Sequence, residues 1–138
     1  MKQRSNSLLC QICQRLQRMR GDVVLRDDFS DFSDYDQVGR VLLQLVRQGK
    51  LIKIGRGIYV RTKISSLDNK PALPKSLNKL TLEAMRRLRI PTAFTKMERA
   101  YNAGETTQVP SGRVIGVRKR VRRRISFNGF SMGFERVS

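Results

Sequence analysis

Apolar residues recur every three or four positions between residues 34 and 48, which predicts an amphipathic helix over this stretch. Its apolar face would hold Val38, Val41, Leu42, Leu45 and Val46. Ser33 is expected to cap the start of the helix, with Asp36 three residues on completing a box-like cap. Gly49 is expected to end it, because glycine accepts the left-handed conformation that follows many helices.

Two short apolar segments follow this helix and predict a β-hairpin. The strands would run over residues 51–54 and 58–61, joined by the turn Gly55-Arg56-Gly57. A helix followed by a hairpin with a basic tip is typical of the winged helix-turn-helix, a DNA-binding fold. The sequence therefore predicts such a domain over residues 1–63.

The opposite face of the predicted helix is polar. Arginine and glutamine side chains on an exposed helix face read base edges and hold phosphates. We expect these contacts to come from Gln37, Arg40, Gln44 and Arg47. In the hairpin, which would form the wing, Lys53 and Arg56 would reach the adjacent backbone or minor groove. The alternative is a solvated helix face on a small domain that binds no nucleic acid.

Periodicity also predicts the elements that precede this helix. A first helix is expected over residues 1–20. Its apolar face would hold Leu9, Ile12, Leu16 and Met19. A short strand over residues 23–25 and a short helix over residues 27–32, with two phenylalanines as core contacts, would follow.

Cys10 and Cys13 form a C-x-x-C pair within the first predicted helix. A zinc site needs about four ligands, and the chain has no histidine and no third cysteine. A redox pair normally opens a helix that follows a strand, which is not the context here. We therefore expect Cys13 at the edge of the core and Cys10 exposed, with a metal bridged between two chains as the alternative.

Five aspartates lie in the region that leads into the predicted DNA-binding helix and in its first turn: Asp27, Asp28, Asp31, Asp34 and Asp36. Such a cluster suggests a magnesium site or a catalytic carboxylate pair. Two predicted helix starts fall in the same stretch, however, where aspartate caps amide groups and meets the positive end of the helix dipole. The capping interpretation is favoured, and no metal site is predicted.

The C-terminal half predicts a second, smaller α+β region. Residues 64–80 lack periodicity and contain prolines and serines, which predicts a linker. Helices are expected over residues 81–89 and 93–103. The second helix would turn three side chains towards a core: Phe94, Met97 and Tyr101.

Three antiparallel strands are predicted beyond these helices, over residues 114–118, 121–127 and 130–136. Asn128-Gly129 is the strongest local signal, a two-residue hairpin turn that needs positive φ at both positions. This turn would place Phe127 opposite Phe130 and Ile125 opposite Met132.

The predicted fold class is therefore α+β. An N-terminal winged helix-turn-helix (residues 1–63) would be followed by a linker (residues 64–80). A small α+β domain (residues 81–138) would combine the helical segment with a basic, three-stranded antiparallel sheet.

Charge narrows the class of partner. The formal net charge is +18, from 29 basic and 11 acidic side chains, which is typical of proteins that bind nucleic acid. Residues 1–66 carry 13 basic and 6 acidic side chains, whereas residues 67–138 carry 16 and 5. The densest basic run, which we expect to contact phosphates, consists of Arg118, Lys119, Arg120, Arg122, Arg123 and Arg124. The alternative is a flexible basic loop that binds nothing specific.

Two segments resemble bacterial AbiE-type (abortive infection) antitoxins and an uncharacterised bacterial and mobile-element family related to them. The first matches at Asp28-Phe29, along the helix from Val38-Gly39-Arg40-Val41-Leu42 to Leu45, at Gly49-Lys50-Leu51 and at Gly55-Arg56-Gly57-Ile58-Tyr59. The second, residues 100–117, contains Thr107-Gln108-Val109-Pro110. The resemblance implies a winged helix that binds a promoter, often that of its own operon. For the true antitoxins it also implies neutralisation of a nucleotidyltransferase-like toxin.

These features predict a sequence-specific, DNA-binding transcriptional regulator of the antitoxin type that represses its own operon, with double-stranded DNA as its partner. An RNA-binding protein and a protein-interaction module that neutralises a toxin are the alternatives, and a homodimer is left open. No enzyme or cofactor is expected, because there is no histidine, no phosphate-binding glycine loop and no convincing nucleophile–base pair. A cytoplasmic location is expected, since no apolar run is long enough to cross a membrane and no secretory signal is visible.

Overall fold

The structure, a computed structural model, describes residues 7–138. Residues 1–6, which the sequence assigns to the first helix, lie outside the described residues. The chain divides into two compact units, Met1–Pro74 and Lys75–Ser138, and both combine helices with strands. None of the described helices is long and apolar enough to cross a lipid bilayer.

The described part of the first unit begins with a helix and ends with a small hairpin. In chain order its elements are α1 (Leu8–Arg18), β1 (Val23–Leu25), a 3-10 helix (Arg26–Phe29), α2 (Tyr35–Arg47), β2 (Leu51–Gly55), β3 (Ile58–Arg61), β4 (Lys63–Ile64) and β5 (Pro71–Ala72). β3 lies between β1 and β2 and is antiparallel to both. The strand predicted over residues 23–25, the helix predicted over residues 34–48 and the hairpin that follows it are confirmed. The short helix predicted over residues 27–32 is a 3-10 helix over Arg26–Phe29, and α1 ends at Arg18 rather than at residue 20.

One apolar cluster packs α1 and α2 against this sheet. Its buried members are Ile12, Val24, Phe29, Val38, Leu42, Leu45, Leu51 and Tyr59. Partly buried side chains surround them, among them Leu9, Leu16, Met19, Val41 and Val46. The predicted apolar faces of both helices are therefore confirmed. Burial of each large side chain of this kind contributes about 1.5–3 kcal/mol to stability.

The cap of α2 differs from the prediction. Asp34 caps the helix, since its Oδ1 accepts a hydrogen bond of 2.8 Å from the backbone N–H of Gln37. The prediction of Ser33 is wrong because Asp34 has the extended backbone of a cap residue, with φ −69° and ψ 168°. Asp36 then lies in the first turn, where it meets the positive end of the helix dipole. Gly49 follows the helix as predicted, with φ +78°.

The segment predicted as a linker, residues 64–80, contains a hairpin and the start of a helix. β4 and β5 form an antiparallel pair with Lys63 opposite Ala72. The next helix begins at Leu77, because the side chain of Ser76 caps it by accepting a hydrogen bond from the backbone N–H of Lys79. Strands of two residues are too short to produce an alternating pattern in the sequence, which is why periodicity does not predict this hairpin.

The second unit contains α3 (Leu77–Arg87), β6 (Thr92–Ala93), α4 (Lys96–Asn102), β7 (Val114–Val117), β8 (Ser126–Phe127), β9 (Phe130–Ser131) and β10 (Gly133–Arg136). α3 begins at Leu77 rather than at residue 81. Thr81 is a buried residue within the helix, and its hydroxyl donates a hydrogen bond of 2.7 Å to the Leu77 carbonyl oxygen. The buried apolar side chains of this unit are Leu77, Leu80, Ala84, Met85, Ile115, Val117, Ile125, Met132 and Val137.

The second helix of this unit does not present the predicted core face. α4 begins after the cap residue Thr95, so Phe94 precedes the helix instead of lying on it. Phe94, Met97 and Tyr101 are exposed, at 61%, 44% and 40% of their surface. The prediction that they face a core is therefore wrong.

The predicted three-stranded antiparallel sheet is also wrong. β7 lies between β10, with which it is parallel, and β6, with which it is antiparallel. Residues 121–125 form no strand, and they belong to the crossover connection that the parallel pair requires.

The hairpin at the end of this crossover is confirmed. Asn128 and Gly129 both have positive φ, at 51° and 77°. β8 and β9 pair with Phe127 opposite Phe130, and the backbone N–H of Met132 donates to the Ile125 carbonyl oxygen at 2.9 Å.

Candidate nucleic-acid interface

α2 presents a polar face opposite its buried residues. Val38, Leu42 and Leu45 are buried, which fixes the rotation of the helix about its axis. The four predicted contact residues are all exposed: Gln37, Arg40, Gln44 and Arg47. Because their spacing is three or four residues, they lie on successive turns of one side of the helix. The structure thus brings the four predicted side chains together.

Arg40 and Arg47 are available to an external anion. Neither guanidinium group meets a hydrogen-bond acceptor or an acidic partner within residues 7–138. A guanidinium carries five N–H donors in a planar fork, which suits bidentate binding to a phosphate or to the edge of a guanine. The side-chain amides of Gln37 and Gln44 are likewise without a partner in the described part of the chain.

Arg26, which the sequence analysis did not single out, holds the start of α2. Its Nε donates a hydrogen bond of 3.0 Å to the Tyr35 carbonyl oxygen, and its Cζ lies 3.4 Å from the centre of the Tyr35 ring. The backbone N–H of Arg26 donates to the Gly57 carbonyl oxygen at 3.0 Å. One residue therefore joins the start of α2 to the turn of the β2–β3 hairpin.

Gly39 leaves room for this arginine. A Cβ atom built on Gly39 would overlap the guanidinium group of Arg26. Glycine inside a helix costs about 1 kcal/mol relative to alanine, so its presence in α2 calls for a packing reason. The close approach of Arg26 supplies that reason.

The β2–β3 hairpin carries both predicted wing residues on its surface. Lys53 and Arg56 are exposed, and Gly57 supplies the positive φ of +70° that the turn requires. The Nζ of Lys53 lies 6.0 Å from the centre of the Tyr59 ring. Burial raises the pKa of the Tyr59 hydroxyl, and the positive charge of Arg26 opposes that shift.

The aspartates act as caps and as an ion-pair partner. The carboxylate of Asp28 accepts a hydrogen bond of 2.8 Å from the backbone N–H of Leu25, and Asp34 caps α2. Asp31 instead receives two hydrogen bonds from the guanidinium of Arg15, at 2.6 and 2.9 Å. This contact lowers the pKa of the Asp31 carboxyl. Within residues 7–138, no three His, Cys, Asp or Glu side chains are grouped so that they would hold a metal ion.

Both cysteines are free and partly buried. Cys13 packs at the edge of the core, as predicted. Cys10 was expected to be exposed, and that expectation is wrong. Its position in the first turn of α1 brings its backbone N–H within 3.1 Å of the Ser7 hydroxyl, which caps the helix.

The basic run forms the irregular connection between β7 and β8 rather than a turn between two long strands. Arg123 is partly buried, and the other five basic side chains are exposed. Arg124 donates a hydrogen bond of 3.1 Å from its Nε to the Ser131 hydroxyl, which holds the side chain without neutralising its charge. The run is therefore a dense positive patch on the second unit.

Comparison with known proteins places the chain in a family but does not name an activity. No curated protein and no solved structure matches it. A family of unknown function (DUF6088) matches residues 11–137, a range that takes in nearly all of both units. The chain belongs to the DUF6088 family.

Proposed function

We propose that the first unit is a winged-helix, DNA-binding module and that α2 is the helix that enters the major groove. One observation carries the proposal: four exposed side chains with hydrogen-bonding groups lie on one side of α2, namely Gln37, Arg40, Gln44 and Arg47. The other side of the helix is anchored in the core by Val38, Leu42 and Leu45. The helix therefore presents these groups from a fixed position.

The order of the elements supports this assignment. α1, β1, the 3-10 helix, α2 and the β2–β3 hairpin follow one another, with β3 in the centre of the sheet. In the proposed module, the 3-10 helix Arg26–Phe29 takes the place of the first helix of the helix-turn-helix, and the β2–β3 hairpin is the wing.

Side-chain chemistry supports a role in reading sequence. The major groove is about 12 Å wide and admits a helix. Arg40 and Arg47 would donate to guanine edges or to phosphates, and Gln37 and Gln44 would pair with adenine edges. Because Arg26 holds the start of α2 to the turn of the wing, little ordering is needed on binding, which favours affinity.

The remaining basic residues would add contacts that do not depend on sequence. Lys53 and Arg56 of the wing would reach the phosphate backbone or the minor groove beside the helix. The run from Arg118 to Arg124 would neutralise further phosphates from the second unit. The resemblance to AbiE-type antitoxins extends the proposal to repression of the chain's own operon.

The proposal is tested by selecting duplexes from a random library with the full chain. We expect one sequence motif to be enriched and to bind at least about 10³-fold more tightly than a scrambled duplex. The upstream region of the chain's own gene should contain that motif. If no motif is enriched and structured RNA competes as well as duplex DNA does, the protein is not a sequence-specific DNA reader.

A further inference from the structure

The β4–β5 hairpin, which the sequence analysis took for part of a linker, ends in an isolated apolar side chain. Leu67 lies at the tip and is 95% exposed, and Ile64 on β4 is 59% exposed. At this exposure the Leu67 side chain contributes nothing to the core of the first unit. Neither residue belongs to the β2–β3 hairpin or to α2, so neither has a role in the proposed DNA contacts.

The tip is ordered by its own hydrogen bonds. The backbone N–H of Ser65 donates to the Lys70 carbonyl oxygen at 2.9 Å, and the N–H of Asn69 donates to the Ser65 carbonyl oxygen at 2.9 Å. The N–H of Leu67 donates to the Ser65 hydroxyl at 3.2 Å. The N–H of Lys70 donates to the carboxylate of Asp68 at 3.1 Å. Leu67 is therefore presented by a closed loop and not by a free end.

The base of the hairpin is fixed to the end of α2. The hydroxyl of Thr62 donates to the Gly49 carbonyl oxygen at 2.8 Å. The ring of Pro71 packs beside Gly49, since a Cβ atom built there would lie 2.9 Å from Pro71 Cγ. The turn of the β2–β3 hairpin lies near the other end of the helix, where Arg26 joins Gly57 to Tyr35. Two hairpins thus flank α2, one at each end.

The spacing of these hairpins suits a duplex with α2 in its major groove. α2 is 13 residues long, which corresponds to about 20 Å at 1.5 Å per residue. With its axis across a major groove about 12 Å wide, a helix of this length would bring both of its ends, and the hairpin beside each end, to the groove walls and the flanking minor grooves. Lys63 and Lys70 stand on the two sides of the β4–β5 hairpin and are exposed, and with Asp68 at the tip they leave the hairpin with a net positive charge, opposite to that of the groove walls.

We propose that the β4–β5 hairpin is a second wing and that Leu67 inserts into the minor groove between two base pairs. Proteins that bind the minor groove use leucine and other apolar side chains as wedges of this kind, and they kink the duplex by about 20–90°. This inference rests on the proposed function, because it requires DNA beneath α2.

The test places 2-aminopurine at successive positions flanking the selected motif, in duplexes that also carry a donor and an acceptor dye at their ends. Binding of the wild-type chain should raise the fluorescence at one flanking step, where stacking is lost, and should bring the dyes closer together. Leu67→Ala should abolish both changes and keep the preference for the motif over scrambled DNA. Val109→Ala shortens another exposed apolar side chain, at 67% exposure, and should behave as the wild type does.

Other outcomes overturn the inference in distinguishable ways. If the wild type binds the motif without any change at a flanking step, or if Leu67→Ala gives the wild-type signals, Leu67 is not a wedge and the proposed function stands. If the wild type shows no preference for any duplex, the proposed function fails and the wedge fails with it. If Leu67→Ala changes the sedimentation of the protein without DNA, Leu67 is a contact between copies of the chain instead.

Discussion

Arg26 and Tyr35 form a stacked and hydrogen-bonded pair at the start of α2, with the Arg26 Cζ 3.4 Å from the centre of the Tyr35 ring. The pair matters because the backbone of Arg26 is bonded to Gly57 in the turn of the β2–β3 hairpin. The proposed recognition helix and wing are thereby held in one arrangement. Gly39 belongs to the same arrangement, since a side chain there would displace the guanidinium.

The coupling of Arg26 to Gly39 is tested with a double-mutant cycle on the free energy of unfolding. Arg26→Ala should cost about 1 kcal/mol, the typical net contribution of one hydrogen bond. Gly39→Ala alone should change little, because the gain of about 1 kcal/mol in helix propensity is offset by displacement of Arg26. In the Arg26→Ala background, Gly39→Ala should stabilise by about 1 kcal/mol.

Urea unfolding of the four proteins measures this cycle. Arg20→Ala removes an exposed arginine that lies beyond the end of α1, and it should leave the stability near that of the wild type. Additive effects of Arg26→Ala and Gly39→Ala would show that the two positions are not coupled through the guanidinium.

The ion pair between Arg15 and Asp31 predicts a dependence of stability on pH. Arg15 holds the pKa of the Asp31 carboxyl below its ordinary value of about 3.9. The stabilisation is therefore fully present above that ordinary value, and it is lost as the pH falls through the lowered pKa. Because the pair is exposed, the effect should be modest.

Asp31→Asn tests this dependence by urea unfolding at pH 7 and at about pH 2. The wild type should lose more stability on acidification than Asp31→Asn does. Asp27→Asn is the matched control, since Asp27 is exposed and has no ion-pair partner in the described part of the chain. Equal losses in the wild type and Asp31→Asn would contradict a role for the ion pair.

The basic run predicts a change in the salt dependence of DNA binding. If about seven phosphates are neutralised, log K should fall with log salt at a slope of about −6. Replacing Arg122, Arg123 and Arg124 by Gln should flatten the slope by up to about 3 and weaken cognate and random duplexes equally. The relevant measurement is a titration of each protein at several salt concentrations.

A control variant that loses the same charge elsewhere distinguishes the effect of the basic run from the effect of net charge. Lys79, Arg86 and Arg99 are exposed residues of the same unit outside the run, and their replacement by Gln should leave the slope near the wild-type value. An unchanged slope in the triple variant of the run would remove it from the interface. Loss of a co-purifying protein in that case would favour docking of an acidic partner.

Elements defined by local pattern were predictable from the sequence. The helical spacing of Val38, Leu42 and Leu45 predicted α2 and its outer face, and Asn128-Gly129 predicted the β8–β9 turn. The predicted contact residues on α2 and the wing are exposed for the same reason, because the buried face determines the opposite face.

Features that depend on distant residues were not predictable. The parallel pairing of β7 with β10 joins segments separated by an irregular crossover, and nothing in their composition distinguishes it from an antiparallel pair. The contact of Arg26 with Tyr35 depends on the space left by Gly39, and the spacing of residues along the chain does not predict a contact of this kind. Phe94 and Met97 are apolar residues of the kind found in a core, but both lie on the surface. The cap residue Thr95 lies between them in the sequence, so Phe94 precedes α4 and the two do not share a helix face.

Reading of base sequence by α2 is measured by the ratio of cognate to scrambled affinity. Titrations of the selected duplex and its scrambled counterpart should be compared for the wild type, Arg40→Ala, Arg47→Ala and the control Arg20→Ala. Arg40→Ala and Arg47→Ala should each lose about 1–3 kcal/mol at the cognate site and less on scrambled DNA, so that the ratio shrinks. Arg20→Ala should keep the wild-type ratio. A ratio that stays at the wild-type value in both Arg40→Ala and Arg47→Ala would show that α2 does not read the base sequence.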